Sequence, residues 1–345
     1  GLISPQKTAT TSDFLSEIVA SESDFLKCID PEYKKYIDPI SDRRMSRLIK
    51  MGISSAKMCV ADAGVGPDAI ITGTGLGSVE DTEKILANMR GEGQFFNPTP
   101  FIQSTYNTIS SQIAISMKCH GYNSTYVHRS FSFESGLQDA MMQLDEKIAS
   151  NILVGGVDEM TSNHLQITRR VGHWKMAPVN NLDILKTGTP GALAGEGSAW
   201  FMLSDQPGAN CYAEVKAVET FLIKPSGSSV GNHPADKMIS IAGIDLEEID
   251  FVLLGNNGDN RFDDIYSELS TSLFKNIPTG YFKHLCGEYY TASGFALWLA
   301  ANILKRQVIP EIIRLDNIRR DSIRNILIYN QYEGVNHAIM VIGKC

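Results

Sequence analysis

Apolar residues recur at helical spacing from Ser41 to Gly64, where Met45, Leu48, Ile49 and Ile53 share one face and a glycine closes the pattern. The period then changes. Ala69-Ile-Ile-Thr-Gly-Thr-Gly-Leu-Gly77 is a β-rich run into a glycine turn, and Val79 to Arg90 returns to helical spacing. The same alternation predicts a helix over Gln112–Cys119, an extended segment over Ser124–Ser132, and a helix from Gly136 to Ile148 with Leu137, Met141, Leu144 and Ile148 on one face. Asn151-Ile-Leu-Val-Gly-Gly and Gly197–Leu203 read as strands.

The second half repeats this grammar. A long alternating strand is predicted from Tyr212 to Lys224, a buried strand over Ile249–Gly255, a helix over Asp263–Phe274, and closing strands at Asn325–Tyr329 and Asn336–Gly343 with a polar hairpin turn. Thr291 to Leu304 is apolar on nearly every face, which a helix tolerates only when covered all round. Strands alternating with helices imply largely parallel sheets with helices on their faces. The pattern predicts an α/β five-layer αβαβα sandwich of two similar halves, residues 1–205 and 206–345, packed as one compact unit.

Composition agrees with a globular chain: 345 residues, 43% hydrophobic and 20% charged. A formal charge of −8 argues against a nucleic-acid partner. The basic clusters Arg43, Arg44, Arg47, Lys50; Arg169, Arg170, Lys175; and Arg314, Arg319, Arg320, Arg324 read first as solvated faces and second as a landing site for an acidic carrier protein. Six scattered cysteines without metal-like spacing read as reduced thiols, and the seven histidines show no ligand spacing, so no metal is expected. The most apolar run, Ala292–Leu304, falls short of the roughly 20 residues needed to span a bilayer. With no signal-peptide pattern at the N-terminus, a cytoplasmic protein is expected. The opening Gly1-Leu-Ile-Ser-Pro reads as the tail of a strand.

Five segments carry a resemblance when taken in order: Asn97-Pro-Thr-Pro-Phe with Asn107; Ser135-Gly136-Leu137 opening a helix; Leu153-Val-Gly-Gly-Val-Asp-Glu159; Gly195-Glu-Gly-Ser-Ala199; and Lys283 followed by Gly287-Glu-Tyr-Tyr-Thr-Ala-Ser-Gly294. In this order and at these spacings the chain resembles the β-ketoacyl-[acyl-carrier-protein] synthases of the thiolase fold. The match runs from about Asn97 to the C-terminus.

The resemblance implies a catalytic cysteine three residues before Gly136, where this chain has Phe133. A phenyl ring cannot attack a thioester. It implies two histidines as well. The first falls within Gly255-Asn-Asn-Gly-Asp-Asn260, with Asn256 favoured by spacing and Asn257 the alternative in register; the second is replaced by Glu288. Asparagine has no titratable proton, and a carboxylate would repel the malonyl group that a condensing enzyme holds. Lys283 is retained and is expected to pair with Glu288.

Ser132 and Ser135 flank the turn as replacement nucleophiles, although no histidine is placed beside them in sequence. His284, His337 and Cys286 read as structural. Asn330-Gln-Tyr-Glu-Gly-Val-Asn336 resembles the family's gating turn, with Tyr332, together with Ala192, at the acyl pocket and glycines lost at Gln331 and Glu333.

These substitutions imply a chain-length-factor-like member, and Arg43-Arg-Met-Ser-Arg47, Asn97-Pro-Thr-Pro-Phe101 and Asn257-Gly-Asp259 resemble ketosynthase-like proteins of bacterial aryl-polyene and related lipid pathways. Such a member would be inactive alone and would use no cofactor beyond acyl groups presented on the phosphopantetheine of an acyl carrier protein. Its partners would be that carrier protein and an active ketosynthase (heterodimer) or itself (homodimer), paired through the segment before the nucleophile turn. Acyl transfer or thioester hydrolysis by a serine, and a stand-alone acyl-binding homodimer, are the alternatives.

Overall fold

The computed structural model describes residues 1–6, 14–43, 45–89, 98–223, 239 and 243–345. Arg44, Arg90, Asn97 and Lys224, named above, lie outside the described residues.

Two five-stranded mixed sheets organise the molecule. In the first, the order is Leu2–Ile3, Gly197–Ser204, Asn151–Asp158, Ala69–Gly73, Asn123–Tyr126. In the second it is Glu214–Leu222, Asn336–Gly343, Asn325–Tyr332, Phe251–Leu254, Thr279–Tyr281. Each sheet has three mutually parallel strands at one end and antiparallel neighbours at the other. The two sheets therefore repeat each other strand for strand.

Between the sheets lie the helices Ser132–Asp145 and Ser293–Arg306. The second is buried along nearly its whole length, from Ser293 to Leu304 with Trp298 partly covered, as its all-round apolar character requires. Phe133, Leu137, Phe295, Leu299 and Ile303 join strand residues Ile71, Val154, Leu253 and Ile328 in one central core. The helices Arg47–Ala63 and Thr108–Met117 cover the outer face of the first sheet, and Asp264–Thr271 covers that of the second. This is the five-layer αβαβα arrangement.

Several boundaries differ from the sequence pattern. The first long helix starts at Arg47, because Ser46 is extended (φ −67°, ψ 162°) and Pro39–Asp42 forms its own turn; Gly64 ends it at φ 71°. The extended segment expected to reach Ser132 stops at Tyr126. Arg129 takes φ 49°, and a 3-10 turn over Arg129–Phe131 leads into a helix that starts at Ser132, four residues before Gly136.

One expectation about cysteine is overturned. Cys211 and Cys345 form a disulfide, with Cα atoms 6.4 Å apart. The antiparallel register Glu214↔Gly343 brings the residues that flank it together, which sequence spacing cannot show. Cys28, Cys59, Cys119 and Cys286 are free. No helix among the described residues is long and apolar enough to cross a membrane.

Candidate functional site

The site forms where the strands Ala69–Gly73, Asn151–Asp158 and Phe251–Leu254 run out into loops, against the start of the two buried helices. Glu196, between two glycines, holds it together. Its Oε1 accepts from Cys28 N (2.9 Å) and Arg47 Nη2 (2.7 Å), and its Oε2 from Arg47 Nη1 (2.9 Å) and Met160 N (3.1 Å). Arg47 reaches Asp30 as well (2.7 Å). Such a forked pair ties three segments together, a role that the sequence motif alone did not disclose.

Gly195 and Gly287 bring the fourth and fifth motifs into backbone contact: a Cβ on Gly287, at φ 76°, would stand 2.6 Å from Gly195 Cα. Asp158 fastens the end of its strand. Its Oδ1 accepts from Gly75 N (2.7 Å) and Thr74 Oγ1 (3.2 Å), and its Oδ2 from Thr291 N (2.9 Å) and Oγ1 (2.8 Å). Burial pushes its carboxyl up to about 6 against these hydrogen bonds, and pushes the neighbouring Glu159 up to about 7.

Lys283, Glu288 and Asn257 converge on one buried point. Lys283 Nζ and Asn257 Nδ2 each donate to Glu288 Oε2 at 2.6 Å. Asn257 Oδ1 accepts from Asp259 N (3.0 Å), and its loop is held by Asp263, which accepts from Asn257 N (3.2 Å) and Gly258 N (2.8 Å). Burial raises Asp263 to about 6. The expected Lys283–Glu288 pair is present, and the residue that meets Glu288 is Asn257, the alternative in register. Asn256 faces elsewhere: it lines a separate cleft of about 350 Å³ with Tyr266, Phe274 and Thr279.

Phe133 is fully buried in the central core, its ring 5.9 Å from that of Phe201. The next residue, Glu134, is buried as well. Neither of its carboxyl oxygens has a hydrogen bond among the described residues, and burial raises it to about 7 against the nearby Ser293 hydroxyl and Lys283 charge. Nothing in the sequence pattern singled it out.

Ser132 is buried and its Oγ accepts from the backbone N of His128 (2.8 Å); Ser135 is half-buried. His284 is buried and stacked on Tyr281 at 4.0 Å, and burial lowers it to about 3. His337 Nδ1 bonds Tyr329 Oη at 2.8 Å. Cys286 is buried, its thiol pushed up by desolvation.

Tyr332 lies 5.5 Å from Tyr290 and lines a small cavity with Leu76, Asp158, Glu159, Met160, His164, Trp174 and Tyr289. The cavity holds about 20 Å³, room for one water molecule. Phe133 belongs to the central core, and Ala192 to a small buried cluster with Leu165, Trp174 and Ala194. The loop after Tyr332 is tied down: Gln331 Oε1 accepts from Gly334 N (2.7 Å) and Glu333 pairs with His173 (2.8 Å).

Most of the basic clusters are occupied. Lys50 pairs with Asp42, Arg169 with Asp24, and Arg319 with Glu311; Lys175 is buried, donating to Thr187, Thr189 and Gly258. No cluster of His, Cys, Asp and Glu that could hold a metal occurs among the described residues.

Two repeated mixed sheets around a pair of buried helices, with the segments of Asp158, Glu196 and Lys283–Thr291 meeting at one end, define a thiolase-type ketosynthase fold. The family model described as "Beta-ketoacyl synthase, N-terminal domain" matches residues 4–208, more than half of the chain. The chain belongs to the β-ketoacyl synthase family.

Solved structures share the fold at low identity. The ishigamide ketosynthase/chain length factor aligns with 100% of this chain and 97% of its own, at TM-score 0.80 and 19% identity. A chain from the complex of the ketosynthase ApeO with its chain length factor ApeC from Xenorhabdus doucetiae aligns with 100% of this chain and 96% of its own, at TM-score 0.76 and 14% identity. A β-ketoacyl synthase from Burkholderia phymatum aligns over 94% of this chain and 90% of its own, at 0.74 and 15%. No curated protein matches the sequence.

Proposed function

We propose that this chain is a non-condensing, chain-length-factor-like subunit that pairs with an active ketosynthase and helps shape its acyl pocket. The observation that carries the reading is the Lys283–Glu288–Asn257 knot. At the family's two histidine positions, hydrogen-bonding capacity is spent inside the protein, with both Lys283 and Glu288 side chains out of water. A carboxylate already shared by an ammonium and an amide is poorly placed to receive a malonyl carboxylate. At the nucleophile position a phenyl ring packs in the core. The solved complexes pair a ketosynthase with a chain length factor, which supports the same kind of partner here. An acyl group carried on acyl carrier protein is the substrate that such a pair would share.

The geometry favours this over a serine nucleophile. Ser132 Oγ takes its hydrogen bond from a backbone amide, and no imidazole is bonded to it among the described residues. Intact-mass analysis after incubation with acyl- and malonyl-carrier protein tests the reading. No acyl adduct and no carbon dioxide release from the chain alone are expected. An adduct on Ser132 or Ser135, lost on replacement by alanine, would replace this reading with acyl transfer.

A further inference from the structure

We propose that the cleft lined by Asn256 is a binding site for a purine nucleotide of the adenosine monophosphate kind. The inference stands apart from the partner-subunit reading. The cleft shares no residue with the Lys283–Glu288–Asn257 knot, so the failure of either leaves the other in place.

Two consecutive buried amides behave in opposite ways. The Asn257 amide is spent: Nδ2 donates to Glu288 Oε2 (2.6 Å) and Oδ1 accepts from Asp259 N (3.0 Å). Asn256 is only 6% exposed, yet its side chain makes no hydrogen bond among the described residues, and its Oδ1 is buried without a donor. A buried amide left unpaired is costly, and a ligand that meets it recovers that cost. With neither end tied down, rotation about χ2 offers the cleft a donor or an acceptor. The cleft holds about 350 Å³, within the roughly 300–1,000 Å³ of small-molecule sites.

The walls are fixed by the protein's own hydrogen bonds. On one side, Leu315–Ile318 is clipped to the edge strand Thr279–Tyr281. Asp316 Oδ2 accepts from Thr279 N (2.6 Å) and Oγ1 (2.7 Å), its Oδ1 accepts from Ile318 N (2.8 Å), and Leu315 N donates to Thr279 O (3.0 Å). On the other side stands the helix Asp264–Thr271, where Ser270 Oγ donates to Tyr266 O (2.9 Å) and Thr271 Oγ1 to Ser267 O (3.0 Å). With those protons spent, the two hydroxyl oxygens remain as acceptors along this wall. Phe274 and Ile277 add buried apolar surface, and Leu315, 40% exposed, and the half-buried Ile318 carry it to the rim.

These groups select the ligand. Apolar walls around one amide suit a flat heterocycle that carries a donor and an acceptor on the same edge, the way an asparagine reads adenine. The hydroxyl acceptors suit the donor hydroxyls of a sugar. Lys275 lines the cleft, is exposed and forms no ion pair among the described residues, so a phosphate would meet an uncommitted ammonium. The Asp316 carboxylate is held within the wall by its three hydrogen bonds, and Arg314 is committed to Glu311 and Ile318 O, each at 3.3 Å. An inorganic anion would use Lys275 and leave Asn256 unmet. A purely apolar ligand would leave both unmet.

Isothermal titration of the whole protein with adenosine monophosphate, adenosine and inorganic phosphate tests this. Adenosine monophosphate should bind at least tenfold more tightly than inorganic phosphate, and more tightly than adenosine, with the second gap closing in Lys275→Ala. Asn256→Leu swaps the amide for an apolar group of the same shape and removes no hydrogen bond of the fold, and it should weaken adenosine monophosphate at least tenfold. Thr271→Trp, at the exposed end of the helix, fills the cleft and should abolish binding while leaving the Asn256 floor untouched. No heat with about 5 mM adenosine monophosphate, equal affinity for it and inorganic phosphate, or binding that ignores Asn256→Leu each overturns the proposal. None of these results bears on acyl transfer or condensation by the chain, which are read by adduct and product mass.

Discussion

Replacing Phe133 by alanine removes a ring packed against Phe201 in the central core, and should cost about 3–5 kcal/mol in urea denaturation. A ring that merely plugged an open pocket would cost far less. The Lys283–Glu288 pair gives a second residue-level test. Lys283→Met leaves a buried carboxylate without its counter-ion and should destabilise by about 3–5 kcal/mol, whereas adding Glu288→Leu should recover most of that loss. A double mutant as unstable as the single would show that the pair does not act as a unit. The sequence anticipated the Lys283–Glu288 pair because both residues sit at short, fixed offsets from Gly287. Spacing favoured Asn256, but it is Asn257 that meets Glu288, since the turn Gly255–Asn260 is a loop whose path decides which amide faces inward.

At the level of elements, the start of the helix Ser132–Asp145 carries Glu134, a carboxyl buried without a hydrogen bond among the described residues. Its folded-state value of about 7 lies above the ordinary 4.5, so the folded protein holds this proton more tightly than the unfolded chain. Its contribution is therefore intact below about pH 4.5 and is lost as pH rises through 7. Glu134→Gln should raise stability at pH 8 by up to about 3 kcal/mol and change it little near pH 4.5, read from chemical denaturation at both values. Equal effects at the two pH values would contradict the assignment. Hydrophobic periodicity located this helix but not its first turn, because Ser130-Phe-Ser-Phe-Glu-Ser135 alternates polar and apolar residues at the period of a strand. The strand Asn123–Tyr126 was overextended for a similar reason: only the backbone shows that Arg129 turns left-handed.

Across the whole molecule, the five-layer αβαβα sandwich was legible because an all-round apolar helix has few places to go, whereas the strand order was not, and the sheets expected to be largely parallel each carry two antiparallel pairings. The disulfide was not legible either, because Cys211 and Cys345 are 134 residues apart and only the sheet register joins them. Closing so long a loop restricts the unfolded chain, and reduction should lower stability by up to about 5 kcal/mol, with Cys211→Ser insensitive to reductant. An unchanged melting temperature in the presence of reductant would show that this bond is not formed in solution.

The most direct test of the central claim is product length. An active ketosynthase from the same source is incubated with carrier-bound starter and labelled malonyl-carrier protein, with and without this chain, and the released products are sized by mass spectrometry. The account predicts no product from this chain alone and a shifted length distribution when the two are mixed. Condensation by the chain alone, or a distribution that ignores its presence, would contradict it.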